Sequence, residues 1–222
     1  MTVDTSATSC SRCEAPVAPA APVVARAASR RTEHELEIAM TPEVRKYVEH
    51  YSKGNGRRTT IEGLERSAAY RQRAEEIFAE VGVPTELVWL AQVESGWKAD
   101  AVSPVGAGGV WQFMPATARD FDMRVDEEVD ERLDFEKATR GSAVYLRRLA
   151  RRYDGNWELA IAAYNYGEGN VDKACAKAGV EDFWTLSRAG LLPDETKNYV
   201  PKVLAAATIC TNPAGYDLPN AG

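Results

Sequence analysis

The chain has 222 residues, of which 45% are hydrophobic, and it carries a formal net charge of −6. This length allows one globular domain with additional tails. The acidic charge offers no basic surface to nucleic acid, and no apolar run approaches the roughly 20 residues of a membrane-spanning helix.

The first part of the chain, residues 1–32, is predicted to be a disordered tail, because Ala15–Val24 has the alanine- and proline-rich composition of a linker. The tail lacks the basic start and the apolar stretch of a signal peptide. Cys10 and Cys13 form a CxxC motif, but no second CxxC or CxxH pair accompanies it, so it gives little support for a zinc site. We therefore expect neither a metal nor a cofactor.

The rest of the chain is predicted to be helical, because N-cap residues and prolines mark helix starts and glycines mark helix ends. A long helix is predicted over Ile61–Val81, and another begins near Pro84 and carries the apolar run Leu87–Val93. No segment alternates convincingly as a strand does, so the fold class is all-α. The predicted helices start at or near Thr41, Ile61, Pro84, Pro115, Asp134, Trp157, Gly169, Asp182 and Asp194.

Some details of this helical pattern stay open. A small hairpin around the glycine-rich segment is one alternative, and Pro201 either kinks the last helix or marks its true first turn. Cys175 and Cys210 are either core cysteines or, in an exported protein, partners in a disulfide. The charged run Asp126–Glu131 is expected to be a solvated loop.

Glu94 is the first candidate for a catalytic residue. Leu87, Leu90 and Ala91 lie seven, four and three residues before it, so its side chain shares their face of a helix. Gly96 is expected to end this helix, which places the carboxyl group near the negative end of the helix dipole. The dipole and the apolar surroundings both raise the pKa, as a general acid requires. The alternative is that Glu94 flanks the helix end and reaches water.

The segment after Glu94 combines glycines with aromatic residues. Its glycines allow sharp turns or a close approach of the backbone to another group. Trp97 and Trp111 either form platforms for sugar rings or pack in the core, while Gln112 offers amide donors and acceptors to hydroxyl and acetamido groups. The glycines are Gly106, Gly108 and Gly109.

Glu94 also opens a series of motifs that continues along the chain. The motifs are Glu94-Ser95, Ser103-Pro104-Val105-Gly106-Ala107, Gln112-Phe113-Met114-Pro115-Ala116-Thr117-Ala118, Ala163-Tyr164-Asn165-Tyr166-Gly167-Glu168-Gly169 and Glu195-Thr196-Lys197-Asn198-Tyr199-Val200. Over about residues 40–215 the chain resembles the catalytic domain of the soluble lytic transglycosylase (SLT) family. The resemblance is to the membrane-bound lytic murein transglycosylase D type, in which helices precede the catalytic part. Tyr166 departs from the pattern, which usually has a small residue there, and we expect it to reshape a subsite.

The resemblance implies a lysozyme-like fold in a single globular domain. It implies a helical prelude at residues 33–82 that packs on a catalytic domain at 83–212, with a C-terminal tail at 213–222. Family members cleave the β-1,4 bond between N-acetylmuramic acid and N-acetylglucosamine in peptidoglycan, and they leave a 1,6-anhydro sugar without consuming water. The implied partners are peptidoglycan glycan strands, acted on by a monomer in the cell envelope or periplasm, although residues 1–31 contain no signal-peptide pattern.

The resemblance further implies the roles of individual residues. Glu94 is the acid and then the base, and Tyr199 places a hydroxyl near it. Without the resemblance, several of these residues are also compatible with core or turn positions. The histidines, His34 and His50, lie outside every motif, so neither histidine catalysis nor a metal site is expected. The residues implied to bind substrate are Ser103, Gln112, Met114, Tyr164 and Asn165.

Two other functions remain open at this point. A lysozyme-like hydrolase of peptidoglycan or chitin on the same fold needs a positioned water and usually a second carboxylate. Asp100 and Glu168 are the nearby candidates for that carboxylate. A domain that binds glycan without cutting it is the third function, and the intact Glu94 argues against it.

Overall fold

The computed structural model of the chain describes Met1 and residues 36–220. The predicted tail, including the Cys10/Cys13 motif, lies outside the described residues apart from Met1. Residues 36–220 belong to one compact unit, and this described part of the chain is helical, which confirms the all-α prediction. The α-helices are α1 (Pro42–Ser52), α2 (Arg57–Ser67), α3 (Arg71–Val81), α4 (Leu90–Glu94), α5 (Pro115–Arg119), α6 (Phe135–Arg152), α7 (Trp157–Tyr166), α8 (Glu168–Ala178), α9 (Phe183–Arg188) and α10 (Asp194–Thr211). The 3₁₀-helices are Thr85–Trp89, Glu131–Leu133 and Pro213–Tyr216.

The first helices pack on helices from the later part of the chain. α1 begins after the N-cap Thr41, whose hydroxyl accepts a hydrogen bond from the backbone N–H of Val44, and it lies against α10. α3 packs against α6 and buries Ile77 and Phe78 completely. These helices therefore contribute to the same hydrophobic core as α6 and α10.

The prediction of one helix over Ile61–Val81 is wrong, because the structure divides this segment into α2 and α3. The Ser67 hydroxyl donates to the carbonyl of Leu64 (2.7 Å), and the Ser67 carbonyl accepts from the N–H of Tyr70 (2.9 Å). The Tyr70 ring packs 4.7 Å from the ring of Phe135, at the start of α6. Helical periodicity alone reports neither the serine turn nor this long-range ring contact.

α7 lies in the centre of the helical core. Its residues are buried throughout Trp157–Ala163, and it packs against α6, α8, α9 and α10. A helix that is apolar nearly all round is stable only in such a position. The last turn differs, because Tyr164 and Asn165 are half-buried and reach the surface of the core. α7 therefore presents two polar side chains from a rigid support.

α10 runs without interruption from Asp194 to Thr211 and contains Pro201 in its interior. Pro201 therefore does not mark the first turn of this helix. Cys175 in α8 and Cys210 in α10 are both buried and free, so they are core cysteines and not disulfide partners. Within residues 36–220, none of the helices is long and apolar enough to cross a bilayer.

The segment between α4 and α5 folds back on itself without forming a regular hairpin. Gly108 makes isolated antiparallel bridges to both Val102 and Phe113. The N–H of Ser103 donates to the carbonyl of Ala107 at 2.8 Å. We call residues 102–114 the glycine-rich loop.

Candidate active site

Glu94 is the last residue of α4, and the local sequence determines its position. The apolar residues three, four and seven positions before it are fully buried, whereas Glu94 itself is half-buried. Gly96 and Trp97 then adopt left-handed φ angles of 60° and 63°, which end the helix. The Arg66 Nε donates to the Gly96 carbonyl at 2.6 Å and ties this turn to α2. The end of α4 therefore places a carboxyl group against the core, as the periodicity predicts.

The surroundings of Glu94 favour its protonated form. Burial raises the pKa of the Glu94 carboxyl to about 7, a hydrogen bond from the Tyr199 hydroxyl to Oε1 opposes this shift, and the charge of Glu195 adds to it. None of the ion pairs among residues 36–220 includes Glu94. A carboxyl group that holds its proton near neutral pH can donate that proton to a leaving group.

Two tyrosines from different helices lie near this carboxyl group. Tyr199 comes from α10 and bonds directly to Glu94. Tyr164 comes from α7, and its hydroxyl donates to the Trp111 carbonyl (2.9 Å) and lies 3.4 Å from the Ser142 hydroxyl. Burial and then the charge of Glu94 raise the pKa of both phenols well above the usual value. Both tyrosines therefore remain neutral hydrogen-bond donors.

Asn165 is oriented by two neighbouring residues of α10. The buried Thr196 hydroxyl donates to Asn165 Oδ1 at 2.7 Å, and Asn165 Nδ2 donates to Glu195 Oε1 at 3.4 Å. Glu195 lies one helical turn before Tyr199. The amide of Asn165 thus presents its N–H₂ group on the side of Glu195.

The glycine-rich loop supplies the opposite wall of the site. Gln112 has a left-handed φ of 50°, and its Nε2 donates to the carbonyls of Gly109 (2.9 Å) and Ala101 (3.3 Å). The side-chain amide therefore holds the loop, and its Oε1 remains an acceptor. Met114 keeps 43% of its surface exposed, so it is not a core residue.

A cleft of about 230 Å³ brings four of the five predicted substrate-binding residues together. Glu94 does not line this cleft, but its charge acts on Tyr164, which does. Ser103 is also absent from the lining, since its hydroxyl accepts a hydrogen bond from the Ala107 N–H (3.0 Å) within the loop. The four residues are Gln112, Met114, Tyr164 and Asn165, and Tyr145 and Tyr166 add aromatic surface.

Trp97 and Trp111 are core residues and not sugar platforms, because their exposures are 1% and 0%. The Trp111 ring stacks on Phe78 with centroids 5.2 Å apart, and its indole N–H donates to the Thr139 hydroxyl at 3.0 Å. The two indoles meet edge to face at 6.2 Å. Trp111 itself belongs to the glycine-rich loop, so this packing anchors the loop in the core.

The expected second carboxylates are not the ones that the structure brings to Glu94. Glu168 instead accepts hydrogen bonds from Arg148 (2.9 Å) and Tyr145 (3.0 Å). Asp100 is exposed, and the carboxylate that acts on Glu94 is Glu195. The sequence did contain a signal for Glu195, because it lies four residues before Tyr199 in the last motif.

The end of the charged run is only partly solvated, contrary to the expectation, because the side chains of Asp130 and Glu131 are 26% and 19% exposed. Arg132, which directly follows the run, is 6% exposed and pairs with Asp130 at 2.6 Å. The Arg132 guanidinium pulls down the pKa of the Asp130 carboxyl. A buried arginine needs fixed acceptors, and two of them are backbone carbonyls of the glycine-rich loop. In the rest of the run, Glu127 and Glu128 are exposed and Val129 is half-buried.

Comparisons with known proteins agree with this geometry. A family model described as the transglycosylase SLT domain matches residues 75–187. The chain is 41% identical over 138 residues to membrane-bound lytic murein transglycosylase D of Escherichia coli strain K12. That match covers 60% of this chain and 30% of the relative, so the chain spans about a third of the relative's length.

Two solved structures share the fold. The 70 kDa soluble lytic transglycosylase SLT70 from Escherichia coli matches with a TM-score of 0.52 and 27% identity, over 60% of this chain and 23% of that one. An inactive mutant of lytic transglycosylase Slt from Pseudomonas aeruginosa matches with a TM-score of 0.55 and 26% identity, over 69% of this chain and 25% of that one. The chain is therefore similar to lytic transglycosylases in both its sequence and its backbone fold.

Proposed function

Because the chain belongs to the transglycosylase SLT domain family, we propose that it is a peptidoglycan lytic transglycosylase. The proposed reaction cleaves the β-1,4 bond between N-acetylmuramic acid and N-acetylglucosamine. The substrate is a glycan strand, and the site of action is the cell envelope. The names of its relatives, which include lytic murein transglycosylase D, support this substrate. In this proposal α4 to α10 carry the chemistry, and α1 to α3 support them.

The observation that carries this proposal is the position of the Glu94 carboxyl group against the core, which favours its protonated form. Its carboxyl group is buried at a helix end, bonded to Tyr199, and has a pKa of about 7. Near neutral pH it can therefore protonate the glycosidic oxygen as the bond to C1 of the muramyl residue breaks. The resulting carboxylate then takes the proton of the muramyl C6 hydroxyl, whose oxygen bonds to C1. Glu94 ends protonated again, and no water enters.

The residues around Glu94 suit the remaining requirements of this reaction. Tyr199 donates to the carboxylate after the first proton transfer and so limits the cost of its charge. Tyr164 and Asn165 on one wall, and Gln112 and Met114 on the other, offer hydrogen-bonding and apolar contacts to the sugar. The inactive Pseudomonas aeruginosa Slt mutant carries a glutamate-to-glutamine substitution. This agrees with a glutamate as the acid in that relative.

Hydrolysis on the same fold is the second candidate, and the position of Glu195 favours it. Glu195 is an exposed carboxylate whose charge acts on Glu94, and it bonds to Asn165 at 3.4 Å. A water held by Glu195 could attack C1 in place of the C6 hydroxyl, as in two-carboxylate glycosidases. The two reactions differ in their products, so product analysis separates them.

The test is a digest of purified cell-wall sacculi followed by mass spectrometry of the released muropeptides. We expect non-reducing 1,6-anhydro ends, which are about 18 Da lighter than hydrolysed ends because water is not added. Only hydrolysed, reducing ends would assign the second function. Glycan binding without any product between about pH 4 and 8, a range that spans the plausible acid pKa values, would indicate a binding domain and refute both enzymes.

A further inference from the structure

Arg132 connects the charged segment before α6 to the glycine-rich loop. Its Nη1 donates to the carbonyls of Gly106 (2.5 Å) and Phe113 (2.9 Å). Its Nε and Nη2 donate to the Asp130 carboxylate at 2.8 and 2.6 Å. One nearly buried guanidinium therefore holds the loop at two points, within it at Gly106 and near its end at Phe113, and is itself held by a carboxylate on its own segment.

The glycines of the loop fit against Arg132. A Cβ atom on Gly109 would lie 2.0 Å from the Arg132 carbonyl oxygen, and Gly109 also has a φ of +75°. A Cβ atom on Gly108 would lie 2.9 Å from the guanidinium carbon. The loop and the Arg132 segment are thus in direct backbone contact, which a larger residue would prevent.

Phe113 lines the cleft together with its neighbours Gln112 and Met114, and its carbonyl lies between them along the chain. This carbonyl accepts from both Arg132 and the N–H of Gly108. The hydrogen bonds from Arg132 to the loop end on backbone carbonyls, so Arg132 acts on the cleft through the backbone that carries these side chains. The acid on the opposite side, Glu94, is held separately by α4 and α10.

We propose that Arg132 is a positioning residue that sets glycan affinity by holding the glycine-rich loop in its binding conformation. This inference rests on the proposed function, because it takes a glycan as the ligand of the cleft. A loop already ordered before binding loses less conformational entropy when substrate arrives. Loss of the clamp therefore weakens binding, while proton transfer at Glu94 proceeds as before in the complexes that form.

The experiment compares Arg132→Lys with the matched control Arg124→Lys, using soluble, uncrosslinked glycan strands released from sacculi. A lysine keeps the charge opposite Asp130 but cannot bond to the carboxylate and both carbonyls with a planar fork. The side chain of Arg124 is 53% exposed, and among the described residues its ion pairs are with Asp126 and Glu128 of its own turn. We expect Arg132→Lys to raise KM about tenfold with kcat within about twofold, the effect of one lost charge-assisted hydrogen bond. Arg124→Lys should match wild type.

A purely structural role of Arg132 predicts a different result. A smaller folded fraction lowers the apparent kcat and leaves KM unchanged, and that outcome would overturn the proposal. Gly109→Ala provides a second variant that disturbs the same contact from the other side, and it should also raise KM. An unchanged KM in the folded fraction of both variants contradicts the role.

A binding measurement separates this inference from the proposed function. Calorimetric titration of the same glycan strands into Glu94→Gln, with and without Arg132→Lys, requires no turnover. A Kd that is about tenfold weaker in the double variant supports the inference even if wild type yields no anhydro product, a result that would refute the proposed function alone. Equal Kd values, or no binding by Glu94→Gln, would overturn the inference.

Discussion

Glu94 and Glu168 are two glutamates at helix ends, and each accepts a hydrogen bond from a tyrosine hydroxyl. Glu94 ends α4 and bonds to Tyr199, whereas Glu168 begins α8 and bonds to Tyr145 at 3.0 Å. Glu168 also pairs with Arg148 at 2.9 Å, while Glu94 has no cationic partner among the described residues. The two sites therefore allow a carboxyl group with a cationic partner to be compared with a carboxyl group that has none.

The two glutamates share a tyrosine partner but differ in the charges around them. Glu168 lies in the first turn of α8 and pairs with Arg148. Glu94 lies at the negative end of a helix, against the core and in the field of Glu195, and all three disfavour a carboxylate. Burial and missing charge compensation therefore favour the protonated form of Glu94, which the proposed acid role requires.

The largest expected effect is on turnover. Glu94→Gln is nearly isosteric but has no proton to transfer at the leaving oxygen, so the release of muropeptides from sacculi should fall roughly 10²–10⁴-fold. Glu168→Gln should keep most of the activity, because it removes only a partly exposed ion pair. Circular dichroism should find both variants folded. Comparable losses in the two variants would contradict the separation of their roles.

The next effect is on stability and its pH dependence. The folded protein holds the Glu94 proton more tightly than the unfolded chain, since the pKa rises from 4.5 to about 7. Its contribution to stability is therefore full below about pH 4.5 and is lost as the pH rises through about 7. We compare the free energy of unfolding of Glu94→Gln with that of wild type at each pH. This difference should favour the variant more at pH 8 than at pH 4.5, by at most about 3 kcal/mol. Urea denaturation at both pH values measures this difference. A difference that does not change with pH would contradict a raised pKa of Glu94 in the folded protein.

How far the sequence predicts this site depends on whether a signal is local. The helix caps at Asp134 and Asn156 and the buried side of Glu94 follow from neighbouring residues, and the structure contains them. The burial of Arg132 and of Trp111 involves residues 19 and 28 positions away, Phe113 and Thr139. No spacing rule reports such contacts, so the sequence predicts a solvated run next to Arg132 and leaves the role of Trp111 open.

A smaller effect distinguishes the contribution of Tyr199 from that of burial. The hydroxyl of Tyr199 lowers the pKa of Glu94, so Tyr199→Phe should raise it further. The alkaline limb of the kcat/KM profile should then move upward by about one pH unit or less, the size of one hydrogen bond. Tyr145→Phe, which removes the tyrosine bonded to Glu168, is the matched control and should leave this limb in place. A downward shift in Tyr199→Phe would mean that the hydroxyl stabilises the neutral acid.

The smallest effect is expected at the ion pair of Glu168. The side chains of Arg148 and Glu168 are 50% and 33% exposed, so water and salt already screen their attraction. Arg148→Met keeps much of the packing over the Phe121 and Tyr145 rings, which the guanidinium now covers at 5.0 and 5.1 Å. Its loss should cost less than about 1 kcal/mol, and less still in 1 M salt. A larger, salt-independent loss in urea denaturation would show that Glu168, like Glu94, is shielded from solvent, and the contrast between the two glutamates would then rest on the cation alone.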